Sequence, residues 1–374
     1  MAPGVWAVHG YGQAVGFWRS LAGRDPLLVL TVATTDTANH PGLSAAGADP
    51  QKRLTTAAAD AEFLILGRTL SQPGIPTHPL GIPSPVIISR AMGGLIPSLQ
   101  VRCVDAGSRV APQVPDLVRL GTAVAQSVET GHALDRTNVE SLWHQATQWG
   151  QELGQFCQDH QRYLILGESV PGGTTTALAV LMALGLDAEY RVSSSLAGGA
   201  TPAKLALITQ GLGSKGQWRR DPLGAVAAVG DPMQPVVAGL ALAASHHCPV
   251  LLGGGTQMMA VLAVIMALGD PGSLAVGMTG WVARDEAADV AGLAMLCQEQ
   301  WGGRGIPHFA VDLDFGSSRW SDLHPYEQGY VKEGVAAGAL TLAACRYLGQ
   351  HPQSFLPAIE QVYEQSRSRS GIPT

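Results

Sequence analysis

At 374 residues, with 46% hydrophobic and 14% charged residues and a net charge of −6, the chain can bury a large core. It lacks the concentrated basic face a nucleic-acid surface needs. Cys103, Cys157, Cys248, Cys297 and Cys345 lie far apart in no paired metal spacing, which points to reduced, buried thiols in a cytoplasmic protein rather than a disulfide framework.

The first 24 residues carry Trp6, Tyr11, Phe17 and Trp18 with few charges and no basic leader, so a packed N-terminal piece is expected rather than a signal peptide. Pro26 to Ala33 is a buried-strand pattern that empties into a polar, glycine-rich loop from Thr34 to Gly47. Loops at the carboxyl ends of parallel strands hold ligands, so Asp36, Asn39 and His40 could face a substrate or bond their own turn. A helical pattern near Leu54 to Ala61 precedes expected strands at Phe63–Leu66, Val86–Ser89 and Val101–Gly107, with a proline-rich connector from Pro73 to Pro85. Strands alternating with helices predict an α/β fold with a mostly parallel sheet.

A long helix, roughly Asn138 to His160, leads into the most informative stretch. Tyr163-Leu-Ile-Leu-Gly-Glu168-Ser-Val-Pro-Gly172-Gly173-Thr174-Thr175-Thr176 reads as strand, glycine-rich turn with one carboxylate, and threonines at the head of a helix that stops at Gly185. Threonines there can cap the helix, and its N-terminus attracts a phosphate or carboxylate. The stretch is neither a Walker loop nor the spaced glycine fingerprint of dinucleotide folds.

Glu189 to Ser193 is read as a short strand, followed by a helix opening with Thr201 as cap and Pro202 in its first turn. Lys204 sits where the helix dipole disfavours a cation, a conflict that a bound anion would remove and a solvated surface lysine would not feel. Met233 to Gly269 has no Asp, Glu, Lys or Arg, but it is broken at Ser245-His246-His247 and Gly253-Gly254-Gly255, so it is read as core rather than membrane span. Within it, Pro249–Leu252, the turn to Gln257 and the helix Met258–Leu268 repeat the theme of strand, glycine turn and helix. Leu274 to Met278 is another strand, ending at Thr279. Phe309 to Phe315 is read as a strand with Asp312 and Asp314 on one face, most simply a structural pair. Glu333, ahead of Gly334 and a nearly uncharged helix, is either a first-turn acid complementing the dipole or a general base in an apolar pocket.

Three of these features together resemble the nicotinate-nucleotide:dimethylbenzimidazole phosphoribosyltransferase family, in its archaeal and cyanobacterial branch. The family's Gly-Glu-Met-Gly-Ile-Gly-Asn-Thr-Thr is matched without a gap by Gly167-Glu168-Ser169-Val170-Pro171-Gly172-Gly173-Thr174-Thr175. Its Gly-Glu-Gly-Thr-Gly-Ala-Ala is matched by Lys332-Glu333-Gly334-Val335-Ala336-Ala337-Gly338, and its lysine after the central glycine loop by Lys204. The resemblance implies a Rossmann-like three-layer α/β unit over residues 25–325. It adds a small, mainly helical domain from residues 1–24 and 326–374, and a cytoplasmic homodimer.

It also implies a reaction that needs no metal or cofactor. The ribose phosphate of nicotinate mononucleotide passes to a nitrogen of an aromatic base, giving nicotinate and an α-ribazole phosphate for the lower ligand of a cobamide. Glu333 would be the general base, Glu168 with Gly172, Gly173, Thr174 and Thr175 would hold the nicotinate or ribose side, Gly334 would follow the base, and Lys204 would neutralise the phosphate. Thr279 is added as a phosphate partner by its place at a strand end. Pro41 to Gly47 only loosely matches the benzimidazole enzymes, which leaves the accepting base open among dimethylbenzimidazole, adenine and phenolic acceptors. The alternatives are a nucleotide-binding protein without transfer, and a dinucleotide oxidoreductase with Glu189 as ribose acid, for which the glycine spacing is wrong.

Overall fold

The computed structural model describes residues 1–194, 202–213 and 217–369. Its strands are β1 (Val5–His9), β2 (Asp25–Ala33), β3 (Gln100–Gly107), β4 (Val118–Arg119), β5 (Arg162–Ser169), β6 (Val250–Gly253), β7 (Leu274–Thr279) and β8 (His308–Val311). They form one sheet in the order β1-β8-β7-β6-β5-β2-β3-β4, parallel throughout except for β1 against β8.

The helices are α1 (Tyr11–Ser20), α2 (Pro50–Leu66), α3 (Val86–Leu95), α4 (Arg136–Asp159), α5 (Gly173–Ala183), α6 (Pro202–Leu212) and α7 (Pro222–Val229). They continue with α8 (Met233–Ala244), α9 (Thr256–Leu268), α10 (Gly280–Ala283), α11 (Val290–Trp301), α12 (Ala337–Leu348) and α13 (Leu356–Arg369). Both faces of the sheet are covered, as the continuous apolar runs of its strands require. Leu27, Val29, Leu164 and Leu166 point into one core, shared with α4, α5, α7, α8, α9 and α11. Leu28, Leu30, Val32 and Ile165 point into the other, with α1, α2, α3, α12 and α13. Side-chain alternation along each strand thus divides one sheet between two cores. The uncharged stretch from Met233 becomes α8, β6 and α9 in the first core, and among the described residues no helix is long and apolar enough to cross a membrane.

Several local expectations change. Phe63–Leu66 is the last turn of α2, whose start is set by Pro50 and by the Asp49 side chain accepting from the Lys52 N–H at 2.8 Å. Val86–Ser89 opens α3, which is buried nearly all round. A short apolar run has no periodicity to separate strand from buried helix, and here packing between layers decides for helix. Glu189–Ser193 forms no strand. Strand β8 stops at Val311, so Asp312 and Asp314 share no strand face; Asp312 pairs with Arg284 at 2.9 Å and Asp314 accepts from the Gly316 N–H at 2.7 Å. Within residues 1–24, Val5–His9 is an edge strand of the main sheet, while Phe17 and Trp18 of α1 lie against Phe309.

Candidate functional site

Connections leave β2 toward one edge of the sheet and β5 toward the other, so the carboxyl ends of these paired strands are the topological switch point. Open α/β sheets bind ligands in the crevice at such a point. Here an open cleft runs from the turn after β5 to the segment before α12. Glu168, Gly172, Gly173, Thr174, Glu333 and Gly334 all line it, far apart in the chain and together in space.

At one end stands the start of α5. Gly172 has φ +85°, and a side chain there would also meet the backbone nitrogen of Ala38 at 3.0 Å, so the turn requires glycine on two counts. The expected threonine cap is absent: Gly172 occupies the cap position with no side-chain bond. Thr176 instead donates its hydroxyl to Asp231 at 2.5 Å, and Thr175 is fully buried behind the cleft wall, its hydroxyl without a hydrogen-bond partner among the described residues. Lys204, in the first turn of α6, is not the solvated alternative but 2% exposed, with its ammonium donating to the Thr174 hydroxyl at 3.3 Å. Burial, then the charge of Lys332, lowers its pKa to about 8. The Thr201 cap lies outside the described residues.

Glu168 is 2% exposed, and its Oε2 accepts from the Val170 N–H at 3.1 Å. Burial raises its pKa to about 8, helped by the nearby charges of Asp231 and Glu333. Asp231, beneath α5, is raised by burial to about 6.

Glu333, on the segment before α12, lines the cleft in a cradle of backbone donors. Its Oε2 accepts from the Thr279 N–H at 2.7 Å, and its Oε1 from the N–H groups of Gly334 and Gly338 at 3.3 and 3.1 Å. Burial outweighs these bonds and raises its pKa to about 7. The expected phosphate role of Thr279 does not fit this geometry: the residue is fully buried, its N–H is taken by Glu333, and its hydroxyl donates to the Lys332 carbonyl at 2.7 Å.

The backbone around Glu333 is strained. Val331, Lys332, Val335 and Ala336 have φ of 63°, 41°, 53° and 59°, a left-handed run without glycine's freedom. Its surroundings hold it there. Lys332 pairs with Asp285 at 2.6 Å, the Val335 N–H donates to the Glu168 carbonyl at 2.9 Å, and the Ser89 hydroxyl donates to the Val335 carbonyl at 2.7 Å. Beneath, Gly167, Gly253 and Gly277 stand in register on β5, β6 and β7. A methyl on Gly167 or Gly253 would meet Ala336 Cβ at 2.8 or 2.7 Å, so this glycine row lets the loop and α12 sit directly on the sheet.

Among the cleft residues that the sequence did not single out are Asp60 and His78. Asp60, 3% exposed, accepts from the hydroxyls of Ser84 and Ser169 at 2.8 Å each, and burial raises its pKa to about 7. An acid among Ala57, Ala58, Ala59 and Ala61 was the available signal. His78, on the proline-rich connector, carried none. In contrast, Asp36, Asn39 and His40 bond neighbouring groups: Asp36 holds Arg109 and Asn39, and His40 meets Ser127 and Glu129. From that loop, Ser44 to Gly47 line the cleft.

Comparison with known proteins places this architecture. A UPF0284 protein of Gloeothece citriformis is 42% identical over 353 residues, covering 92% of each chain. Another, from Gloeobacter violaceus, is 44% identical over 349 residues, covering 91% of this chain and 88% of its own. The chain belongs to the UPF0284 family. A family model described as phosphoribosyltransferase matches residues 96–271, which include β5, the glycine turn, α5 and Lys204. The family resemblance seen in the motifs therefore holds, and this chain carries a phosphoribosyltransferase-family segment over residues 96–271. Among solved structures, CobT from Thermus thermophilus superposes with a TM-score of 0.55 at 19% identity, covering 96% of this chain and 94% of its own. A nicotinate-nucleotide-dimethylbenzimidazole phosphoribosyltransferase from the same organism gives 0.53 at 18% identity, covering 97% and 94%. Both share the α/β fold with its mostly parallel sheet.

Proposed function

We propose that this UPF0284 protein transfers the ribose phosphate of nicotinate mononucleotide to a nitrogen of an aromatic base, forming an α-ribazole phosphate that serves cobamide assembly. The observation that carries the reading is Glu333: a carboxylate in a backbone cradle, lining a cleft that is also lined by the start of α5 and by Thr174, the hydroxyl partner of the buried Lys204. A carboxyl whose pKa lies near 7 is half ionised at neutral pH and can accept a proton there.

In the step, the base nitrogen forms a bond to the anomeric carbon as the bond from that carbon to the nicotinate nitrogen breaks. The electron pair of the broken bond leaves with nicotinate, and the N–H proton of the base goes to Glu333. Lys204 and the start of α5 fit the 5′-phosphate. Glu168, held neutral below about pH 8, can donate a hydrogen bond to a ribose oxygen or to the nicotinate carboxylate. Thr279 acts through Glu333, by holding its Oε2.

The test is chromatographic detection of nicotinate released from nicotinate mononucleotide with a panel of aromatic bases, beside Glu333→Gln. Release with at least one base, and a loss of about 10²–10⁴-fold in the variant, are expected. Nucleotide binding without release across the panel, or full turnover by Glu333→Gln, would refute the reading.

A further inference from the structure

The connector that carries His78 folds back on itself. Thr77 bridges Pro83, the His78 N–H donates to the Ile82 carbonyl at 2.8 Å, and the Gly81 N–H donates to the His78 carbonyl at 2.8 Å. The connector is also tied to the segment that carries Glu333. Tyr326 donates its hydroxyl to the Pro83 carbonyl at 2.8 Å, Pro85 lies over Gly334, and the His78 ring meets the Tyr330 ring edge-on at 5.5 Å. His78 therefore lies at the Glu333 side of the cleft, on different elements from those that carry Lys204 and the start of α5.

His78 is 5% exposed. Its Nδ1 accepts from the Leu80 N–H at 3.0 Å, which assigns the proton of the neutral imidazole to Nε2. Burial lowers the pKa of the ring, which favours that neutral form. Nε2 is buried and has no hydrogen-bond partner among the described residues, although His78 is part of the cleft wall. A buried donor left unpaired is unfavourable, so this N–H is a standing preference for a ligand acceptor.

We infer that His78 donates from Nε2 to a ring nitrogen of the incoming base, and that the site favours a heterocycle of the purine class over a benzimidazole of the same outline. The inference rests on the proposed transferase reading, because it is the accepting base that must reach Glu333. The two ring systems make the chemistry plain. Purine has nitrogen acceptors in its six-membered ring where benzimidazole has C–H groups. A C–H facing His78 leaves the donor unpaired, whereas a ring nitrogen satisfies it.

The experiment is titration calorimetry of the full chain at pH 7.5 with purine and, separately, with unsubstituted benzimidazole. Wild type, His78→Phe and His78→Gln are compared, with nicotinate release measured in parallel. Purine should bind wild type roughly fivefold to tenfold more tightly, the span expected for one neutral hydrogen bond. His78→Phe should bring the ratio close to one by weakening purine, and His78→Gln, which retains an N–H, should keep most of it. Equal or tighter binding of benzimidazole by wild type would overturn the inference, as would an unchanged ratio in His78→Phe. Should His78→Phe not fold, the wild-type ratio and His78→Gln decide. A purine preference that depends on His78 in a protein that releases no nicotinate would support the donor role while defeating the transferase reading.

Discussion

Replacing Gly338 by alanine tests whether the helix–sheet contact builds the cradle of Glu333. Gly338 lies in the first turn of α12, and its N–H donates to Glu333 Oε1 at 3.1 Å. A methyl at this position would stand 2.2 Å from the Met278 carbonyl carbon and 2.4 Å from the Thr279 nitrogen, both rigid backbone of β7. Carbon atoms settle at about 3.5–4.0 Å, so α12 must withdraw from β7 by roughly 1 Å or more. The two donors on opposite sides of the carboxylate, Thr279 and Gly338, would then separate by a similar distance. Overpacking of this kind costs about 1–3 kcal/mol, which for a chain of 374 residues corresponds to a melting temperature lower by roughly 1–4 °C. A misplacement of about 1 Å at a catalytic group can cost about 10²-fold in rate. The control is Gly16→Ala in α1, where the added methyl has nothing within 4 Å and removing a mid-helix glycine should stabilise by about 0.5–1 kcal/mol. Thermal melts and initial rates of nicotinate release are the assays. A Gly338→Ala protein with the melting temperature and kcat of Gly16→Ala would refute the account of how Glu333 is held.

Glu333 as proton acceptor and Glu168 as a protonated hydrogen-bond donor predict a bell-shaped pH–rate profile. Its acid limb lies near pH 7, where Glu333 gains its proton, and its alkaline limb near pH 8, where Glu168 loses its own; because the groups interact, the limbs belong to the coupled set. Glu168→Gln should remove the alkaline limb, and an unaltered profile would exclude Glu168 as the protonated hydrogen-bond donor. The same residue links to stability. Its pKa is raised in the fold from an ordinary 4.5 to about 8, so the folded state keeps the proton longer and ionisation weakens the fold as pH rises through that window. Glu168→Gln should therefore melt like wild type at pH 4.5 and above it at pH 9, by a few kcal/mol at about 1.4 kcal/mol per unit; equal melting at pH 9 would contradict this. Asp285→Ala leaves the Lys332 ammonium, at 3% side-chain exposure, without its carboxylate, and should cost about 3–5 kcal/mol in denaturant unfolding while lowering kcat through the adjoining Glu333. An unchanged unfolding midpoint would show that the pair does not hold the strained segment.

Much of the fold was legible because parallel strands buried on both faces write continuous apolar runs. Those from Pro26, Val101, Tyr163, Pro249 and Leu274 all became strands of the sheet. The strand–turn–helix units at Gly172 and Gly255 were legible for a related reason: a tight turn onto a helix calls for small residues, whatever surrounds it. Phe63–Leu66 and Val86–Ser89 misled because apolar runs of three or four residues cannot report their period, and β1 was hidden because an edge strand is completed by its partner β8, some 300 residues away.

The sequence by itself determined the α/β class, the glycine turn with Glu168, and Glu333 ahead of its helix, since each is a local pattern whose meaning lies in adjacent residues. Tertiary structure alone decided which groups share the cleft. Lys204 became a buried cation, Thr279 a holder of Glu333 instead of a phosphate contact, and Thr175 a buried hydroxyl behind the wall. Asp60, marked only as an acid among alanines, and His78, unmarked in the chain, became part of that wall. The physical reason is that burial and donor placement, which set pKa and hydrogen-bonding capacity, come from chain segments far apart in sequence. Gly338 and Thr279 cradle one carboxylate only because α12 rests on a row of glycines at the ends of three strands.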